Sequence, residues 1–289
     1  MIPAPFDYFA PTTLDEALSL LSQHGDEAKI LAGGHSLIPA MKLRLAQPAM
    51  LIDLGRIKDL SYIREEDGEI RIGAMTTHYE IESSARLRAI CPLLPECAAA
   101  IGDPQVRNKG TIGGSLAHAD PAADWPAAII ALNAVLVATS ASGERAIRAD
   151  EFFIDIFTTA LKQAEVLREI RIPVPPGRTG QAYLKAAQPA SGFAVVGVGV
   201  SLTRGADDSC QAISVGITGV GPKAYRASAV EDALKGRALD EQTIKDAASH
   251  AVDGIDANSD LYASAEYRRH LATIYVRRAI EAALARSKG

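Results

Sequence analysis

The sequence predicts an α+β fold in about two domains. Three observations carry that prediction. Candidate strands crowd the first part of the chain and candidate helices the last, without a regular βαβ alternation. The 289 residues correspond to about two domains at roughly 150 residues each. The run Pro173-Val174-Pro175-Pro176-Gly177 is the strongest linker signal, dividing the chain into 1–175 and 176–289.

The elements follow in order. Thr13 and Glu16 have capping-box spacing, and Leu14, Ala17, Leu18 and Leu21 form one apolar stripe, so a helix starts there and stops at Gly25. Ala28 to Ala32 reads as a buried strand running into Gly33-Gly34, and Met50 to Leu54 as another. Leu60 to Ala74 reads as a hairpin turning at Asp67-Gly68. Thr77 to Ile101 has a helical pattern broken at Pro92. A second glycine pair, Gly113-Gly114, is expected in a turn, followed by a helix from near Pro121 and a strand from Ala134 to Ser140. Val166 to Ile172 is a strand ending at Pro173. Beyond the linker, Val195 to Thr203 and Cys210 to Val220 read as long strands joined at Gly205 to Asp208, and the chain closes in a helix from about Ser264 to Ser287.

Composition narrows the function classes. The net charge of −5 gives no reason to expect nucleic acid as a partner. The three cysteines, Cys91, Cys97 and Cys210, lack the spacing of a zinc or iron–sulfur site, and their scarcity suits a reducing cytoplasm. No signal peptide is visible, and no apolar run approaches the roughly 20 residues of a membrane helix. Gly216 to Gly221 ends in Pro222, so it is no P-loop, and no G-x-G-x-x-G opens a helix after a strand. Gly197-Val198-Gly199 lies inside a strand and points to close packing.

The glycine pairs carry the chemistry. Glycine brings backbone N–H groups close to a ligand and adopts positive φ freely. Successive N–H groups in a turn make an anion site, and Ser36, Thr111 and Ser115 add hydroxyl donors. Two such loops could close on one dinucleotide. Taken singly, each pair is more simply a tight turn.

Ala32-Gly33-Gly34-His35-Ser36-Leu37 and Thr111-Ile112-Gly113-Gly114-Ser115 resemble the two flavin signatures of the medium (FAD) subunits of aerobic carbon monoxide dehydrogenase and related molybdenum hydroxylases, a group similar to the flavin domain of xanthine dehydrogenase. Phe6-Asp7-Tyr8 with Pro11 to Ala17, Ile72 to His78, and His118 to Asp124 match as well, so the resemblance spans the chain. It implies a two-lobed FAD-binding domain of the PCMH type, as in vanillyl-alcohol oxidase-like flavoproteins, with lobes of about 1–55 and 56–175 and a smaller α+β C-terminal domain. It implies FAD as cofactor, with Ala32 to Leu37 and Thr111, Gly113, Gly114 and Ser115 around the diphosphate. Asp124 would contact the flavin nucleotide and Lys185 would lie near the flavin. It implies a molybdenum-cofactor-binding large subunit and a small subunit with two [2Fe–2S] clusters as partners, and an external electron acceptor. Ser115 stands where the family commonly has Asn, and Gln188-Pro189 where arginine is frequent.

Each single residue has a plainer reading. Asp124 could cap the helix near Pro126. Lys185 could be a strand-face lysine, and Asp120 marks a helix start. His35 and His118 are assigned no acid–base role. Arg268, Arg269, Arg277 and Arg278 read as a solvated helix face, or as a partner-facing patch. Both glycine pairs precede the linker, so a chain cut after Gly177 is expected to bind FAD weakly by itself. Two other functions fit parts of the sequence: a nucleotide-binding or assembly module without tight FAD binding, and a self-sufficient flavin oxidase or reductase, for which no substrate base stands out.

Overall fold

The computed structural model describes residues 1–287. The first sheet is built from β1 (Asp7–Phe9), α1 (Leu14–His24), β2 (Ala28–Leu31), α2 (Leu37–Lys42) and β3 (Met50–Asp53). Its order is β1-β3-β2 and every pairing is parallel, so this lobe does alternate strand and helix. The alternation is hidden in the sequence because β1 is exposed along its length and shows no apolar period. Thr13 caps α1 through the Glu16 amide at 3.2 Å. The Glu16 carboxylate takes the Thr12 amide at 2.8 Å, one residue outside a reciprocal capping box. Ala17, Leu18 and Leu21 bury against Met50 and Ile52.

The second sheet is antiparallel, in the order β4-β5-β10-β6-β7. It opens with the hairpin β4 (Ile63–Glu66) and β5 (Glu69–Gly73), turning at Asp67 and Gly68 with φ of 53° and 76°. Between β5 and β6 (Val135–Ser140) run α3 (His78–Ser83), α4 (Ala85–Ile90), α5 (Leu93–Ala99), α6 (Pro104–Arg107), α7 (Ile112–His118) and α8 (Trp125–Ala131). The stretch before Ile101 is thus three helices. Ser84 ends α3 and caps α4 through the Leu87 amide, and Pro92 separates α4 from α5. After β7 (Gly143–Arg148) come α9 (Ala149–Phe152), the small hairpin of β8 (Phe153–Asp155) and β9 (Thr158–Thr159), and β10 (Val166–Pro173).

The third sheet is antiparallel, β11 (Thr179–Ala187), β12 (Ala194–Arg204), β13 (Cys210–Thr218) and β14 (Tyr225–Arg226), in that order. It is covered by α10 (Ser228–Leu234), α11 (Glu241–Ala248) and α12 (Ala265–Arg286). Arg268 departs from the expected solvated face. It is buried and donates to the carbonyls of Val195 and Gly219 and to Asp260. Among the described residues, no helix is long and apolar enough to cross a membrane.

The helix nearest Pro121 begins at Trp125, and α8 is buried on every side. A helix apolar all round needs cover all round. Part of that cover comes from beyond the linker, where β12 and β13 present glycines to it. A Cβ at Gly216 would stand 2.1 Å from the Ala127 carbonyl oxygen, and one at Gly199 3.1 Å from it. The approach to α8 is clamped as well. The Pro121 carbonyl accepts from the Gly219 amide and the Thr218 hydroxyl, both at 2.8 Å, and Ala122 accepts from the Ala194 amide at 3.1 Å.

This packing weighs against the expectation that a chain cut after Gly177 binds FAD weakly by itself. A chain cut after Gly177 should be insoluble or aggregated on size exclusion, because the face of α8 that meets Gly199 and Gly216 is laid bare. A soluble monomer with native helix content would contradict that.

Candidate functional site

The first glycine loop leaves β2 at Leu31 and enters α2 at Leu37. Gly34 turns it with φ of 78°, a conformation that side chains resist. The carbonyls of Gly34 and Ser36 accept from Ile38 and Ala40 at 3.0 and 3.1 Å. The backbone N–H groups from Gly33 to Leu37 have no partner among the described residues, and Ser36 makes no side-chain cap. His35 and Ser36 are exposed. The loop therefore presents successive open donors at the surface, which is what an anion such as a diphosphate requires.

The second glycine pair behaves otherwise. It is no turn but the first turn of α7, with Thr111 as N-cap. The Gly113 amide donates to Ala74 at 2.9 Å, the Gly114 amide to Thr111 Oγ1 at 3.1 Å, and the Ser115 amide to the Thr111 carbonyl at 3.0 Å. The expectation of free amides here fails, because the helix start and the turn after β5 consume them. The glycines serve close packing. A Cβ at Gly113 would lie 2.4 Å from that of Ala74, and one at Gly114 3.2 Å from that of Ala32.

The two segments do meet. A Cβ on Gly33 would lie 2.2 Å from the Lys109 carbonyl oxygen and 2.7 Å from Gly110 Cα. Ala32, Gly33 and Gly114 thus form one junction, with the open donors of the first loop at its rim.

Beneath Gly110 lies a residue that sequence reasoning did not single out. His78 is 4% exposed. Its amide donates to the Gly110 carbonyl at 3.0 Å, and its Nδ1 accepts from Trp125 Nε1–H, also at 3.0 Å. Burial, with smaller effects of His35 and Arg107, pushes its pKa down to about 4. The ring is neutral near pH 7, and with Nδ1 accepting, its proton sits on Nε2. One signal was available. Thr77 and Glu80 form a capping box, which fixes His78 as the first residue of α3.

Asp124 and Lys185 come together, but as a pair joining α8 to β11. Lys185 Nζ lies 2.9 Å from Asp124 Oδ1 and donates to the carbonyls of Ala100 and Gly192 at 2.6 and 2.7 Å. All three ammonium protons are thereby engaged. The Tyr183 hydroxyl donates to the same carboxylate at 2.5 Å. Burial pushes the Asp124 carboxyl up, against the opposing pull of Lys185 and Tyr183, and pushes Tyr183 well above its ordinary value. Asp124 occupies the N-cap position of α8 without a capping bond, so the plain capping role fails. His118 is half-buried and packs on Phe157, with ring centroids 5.0 Å apart. Gln188 accepts from the Ser191 amide and hydroxyl within the β11–β12 turn.

The chain is similar to known proteins along its length. Residues 4–175 match the family described as the FAD binding domain in molybdopterin dehydrogenase, and residues 181–283 the CO dehydrogenase flavoprotein C-terminal domain. The chain is 43% identical to the carbon monoxide dehydrogenase medium chain of Hydrogenophaga pseudoflava, over 99% of each. It is 36% identical to the alpha subunit of the 6-hydroxypseudooxynicotine dehydrogenase complex of Paenarthrobacter nicotinovorans, over 100% of this chain and 97% of that one. A solved carbon monoxide dehydrogenase from Hydrogenophaga pseudoflava superposes with a TM-score of 0.96 at 44% identity, covering 99% of both chains.

Two outcomes follow from this geometry. Lys185→Met leaves the Asp124 carboxylate buried with Tyr183 alone, and should lower stability by about 3–5 kcal/mol in denaturant unfolding. A loss below about 1 kcal/mol would mean the pair does not join the two parts. His78 gives a pH signature. Its folded pKa lies below that of an unfolded histidine, so the unfolded chain takes up the proton first. Its contribution is full above roughly pH 6.5 and is lost as pH falls towards 4, by at most about 3 kcal/mol. Melting curves of the wild type should drop more steeply across that window than those of His78→Asn; parallel curves would refute the assignment.

Proposed function

The chain belongs to the FAD-binding medium-subunit family of CO dehydrogenase-like molybdenum hydroxylases, and from that premise we propose that it is the complex's electron-transfer subunit, taking electrons from [2Fe–2S] clusters of a partner subunit and passing them to an external acceptor. It is an oxidoreductase subunit whose cofactor is FAD. The observation that carries the reading is the row of open N–H donors from Gly33 to Leu37, set against the Lys109–Ser115 segment.

Bound FAD supplies the redox chemistry, and the protein supplies binding, orientation and electrostatic tuning. In this reading the lobes 1–55 and 56–175 close on the dinucleotide. The amides of Gly33, Gly34, His35, Ser36 and Leu37 donate to the diphosphate, and the Ser36 and Ser115 hydroxyls add donors. Thr111, Gly113 and Gly114 fix the facing surface by close packing. Asp124 and Lys185, paired with each other between α8 and β11, are the residues that the resemblance places beside the flavin nucleotide. This reading assigns no acid or base to the chain.

The division of labour follows from the cysteines. Cys91, Cys97 and Cys210 are all buried and free, and a [2Fe–2S] cluster takes four ligands. That shortage fits a division in which a small partner subunit holds the clusters and a large one the molybdenum cofactor. The substrate is chosen there as well: the two similar proteins named above act, by their names, on carbon monoxide and on 6-hydroxypseudooxynicotine.

The test is an absorption spectrum of the purified chain, before and after adding FAD and desalting. Flavin bands are expected, with FAD and not FMN released on denaturation. Gly33→Val should lose bound flavin and also cost stability, because its side chain would strike the Lys109–Gly110 backbone at the junction, so its flavin content is read on protein shown folded by circular dichroism. Gly113→Val should chiefly cost stability, about 1–3 kcal/mol from overpacking on Ala74. A colourless protein that refuses added FAD, or unchanged flavin content in Gly33→Val, would overturn the reading.

A further inference from the structure

His78 touches none of the open donors, yet it underlies the backbone on which the first loop rests. Each step down from the loop is tight. Gly33 lies against Lys109–Gly110 with no room for a Cβ, since one would stand 2.2 Å from the Lys109 carbonyl oxygen. A Cβ on Gly110 would in turn stand 2.7 Å from His78 Nε2 and 3.0 Å from the Val106 carbonyl oxygen. The ring is held from below by the 3.0 Å bond from Trp125, which is fully buried at the start of α8. The Gly110 carbonyl is held from the side by the His78 amide at 3.0 Å.

We infer that His78 is a positioning residue for FAD: its ring, anchored by Trp125, sets the height of the Lys109–Gly110 peptide and hence the fit of the Gly33 loop around the diphosphate. The inference rests on the reading of the site given above. A histidine suits this place better than an apolar ring of similar size. Trp125 buries an N–H that needs an acceptor, and Nδ1 provides it while Nε2 faces the glycine. The charged and titratable groups facing the ring are His35 and Arg107, and Arg107 is held by Glu82 at 2.7 Å and by the Ile101 and Gly102 carbonyls. A plain core histidine would share the burial. What sets this one apart is that its tip meets the backbone of the junction.

A double-mutant cycle on the FAD dissociation constant separates the two roles. Gly110→Ala pushes a methyl into the ring tip and should weaken FAD about tenfold, within the range of couplings between contacting residues. His78→Asn shortens the side chain but keeps an acceptor near Nδ1. It should bind FAD less tightly than wild type, and should relieve the Gly110→Ala defect when combined with it. The fluorescence of Trp125, the sole tryptophan, and the melting temperature, both read without FAD, report whether each variant is folded. Wild-type affinity in Gly110→Ala, or strictly multiplicative losses in the double variant, would overturn the inference. Should Gly110→Ala fail to fold, His78→Phe serves in its place. It keeps a ring but strands the Trp125 N–H, so a similar loss of affinity is expected, and unchanged affinity overturns the inference. A wild-type chain that binds no FAD removes the underlying reading instead, a result distinct from all of these.

Discussion

The structure depends on the contact between Gly33 and the Lys109–Gly110 peptide, where two stretches of main chain meet with no space for one extra carbon. One stretch leaves a parallel sheet, and the other runs between two helices over an antiparallel sheet. Such an approach is open only to glycine, and it fixes the separation of the lobes more sharply than side-chain packing could, because backbone does not change rotamer. Everything at the junction follows from that separation. Gly114 comes against Ala32, and His78 packs under Gly110.

The two glycine pairs look alike in sequence and do opposite things. At Gly33-Gly34 the chain leaves its amides unpaired and offers them outward. At Gly113-Gly114 the chain spends them on Ala74 and Thr111 and uses the missing Cβ for proximity. Donation and proximity are two physical uses of glycine, and here they are divided between the two sides of one junction.

Much of this was legible from residue patterns. The hairpin at Asp67-Gly68, the capped first helix, the long strands after the linker and the terminal helix are local signals, read from turn chemistry and periodicity. The glycine motifs marked, by resemblance to a flavoprotein family, two segments that the structure brings into contact. What the sequence hid was non-local. The parallel pairing of β1 depends on Met50 to Ile52, far along the chain, while β1 itself shows no apolar alternation. Asp124 and Lys185 were marked only by resemblance, and that they pair with each other at 2.9 Å, across two elements that no local pattern connects, could not be read from the sequence. Thr111 carried an N-cap signal that assigns Gly113 and Gly114 to a helix, and the pull of the glycine pair masked it.

The burial of α8 against β12 and β13 has a consequence for how the protein is made. At about 5–20 residues per second, on the order of ten seconds separates synthesis of α8 from synthesis of the end of β13. During that interval the apolar faces of the helix that meet Gly199 and Gly216 have no cover. The nascent chain then carries uncovered apolar surface of the kind that aggregates, even though the whole first sheet has already been synthesised. The last strands finish a layer begun earlier, so the order of translation delays completion of the flavin-binding half until the other half arrives.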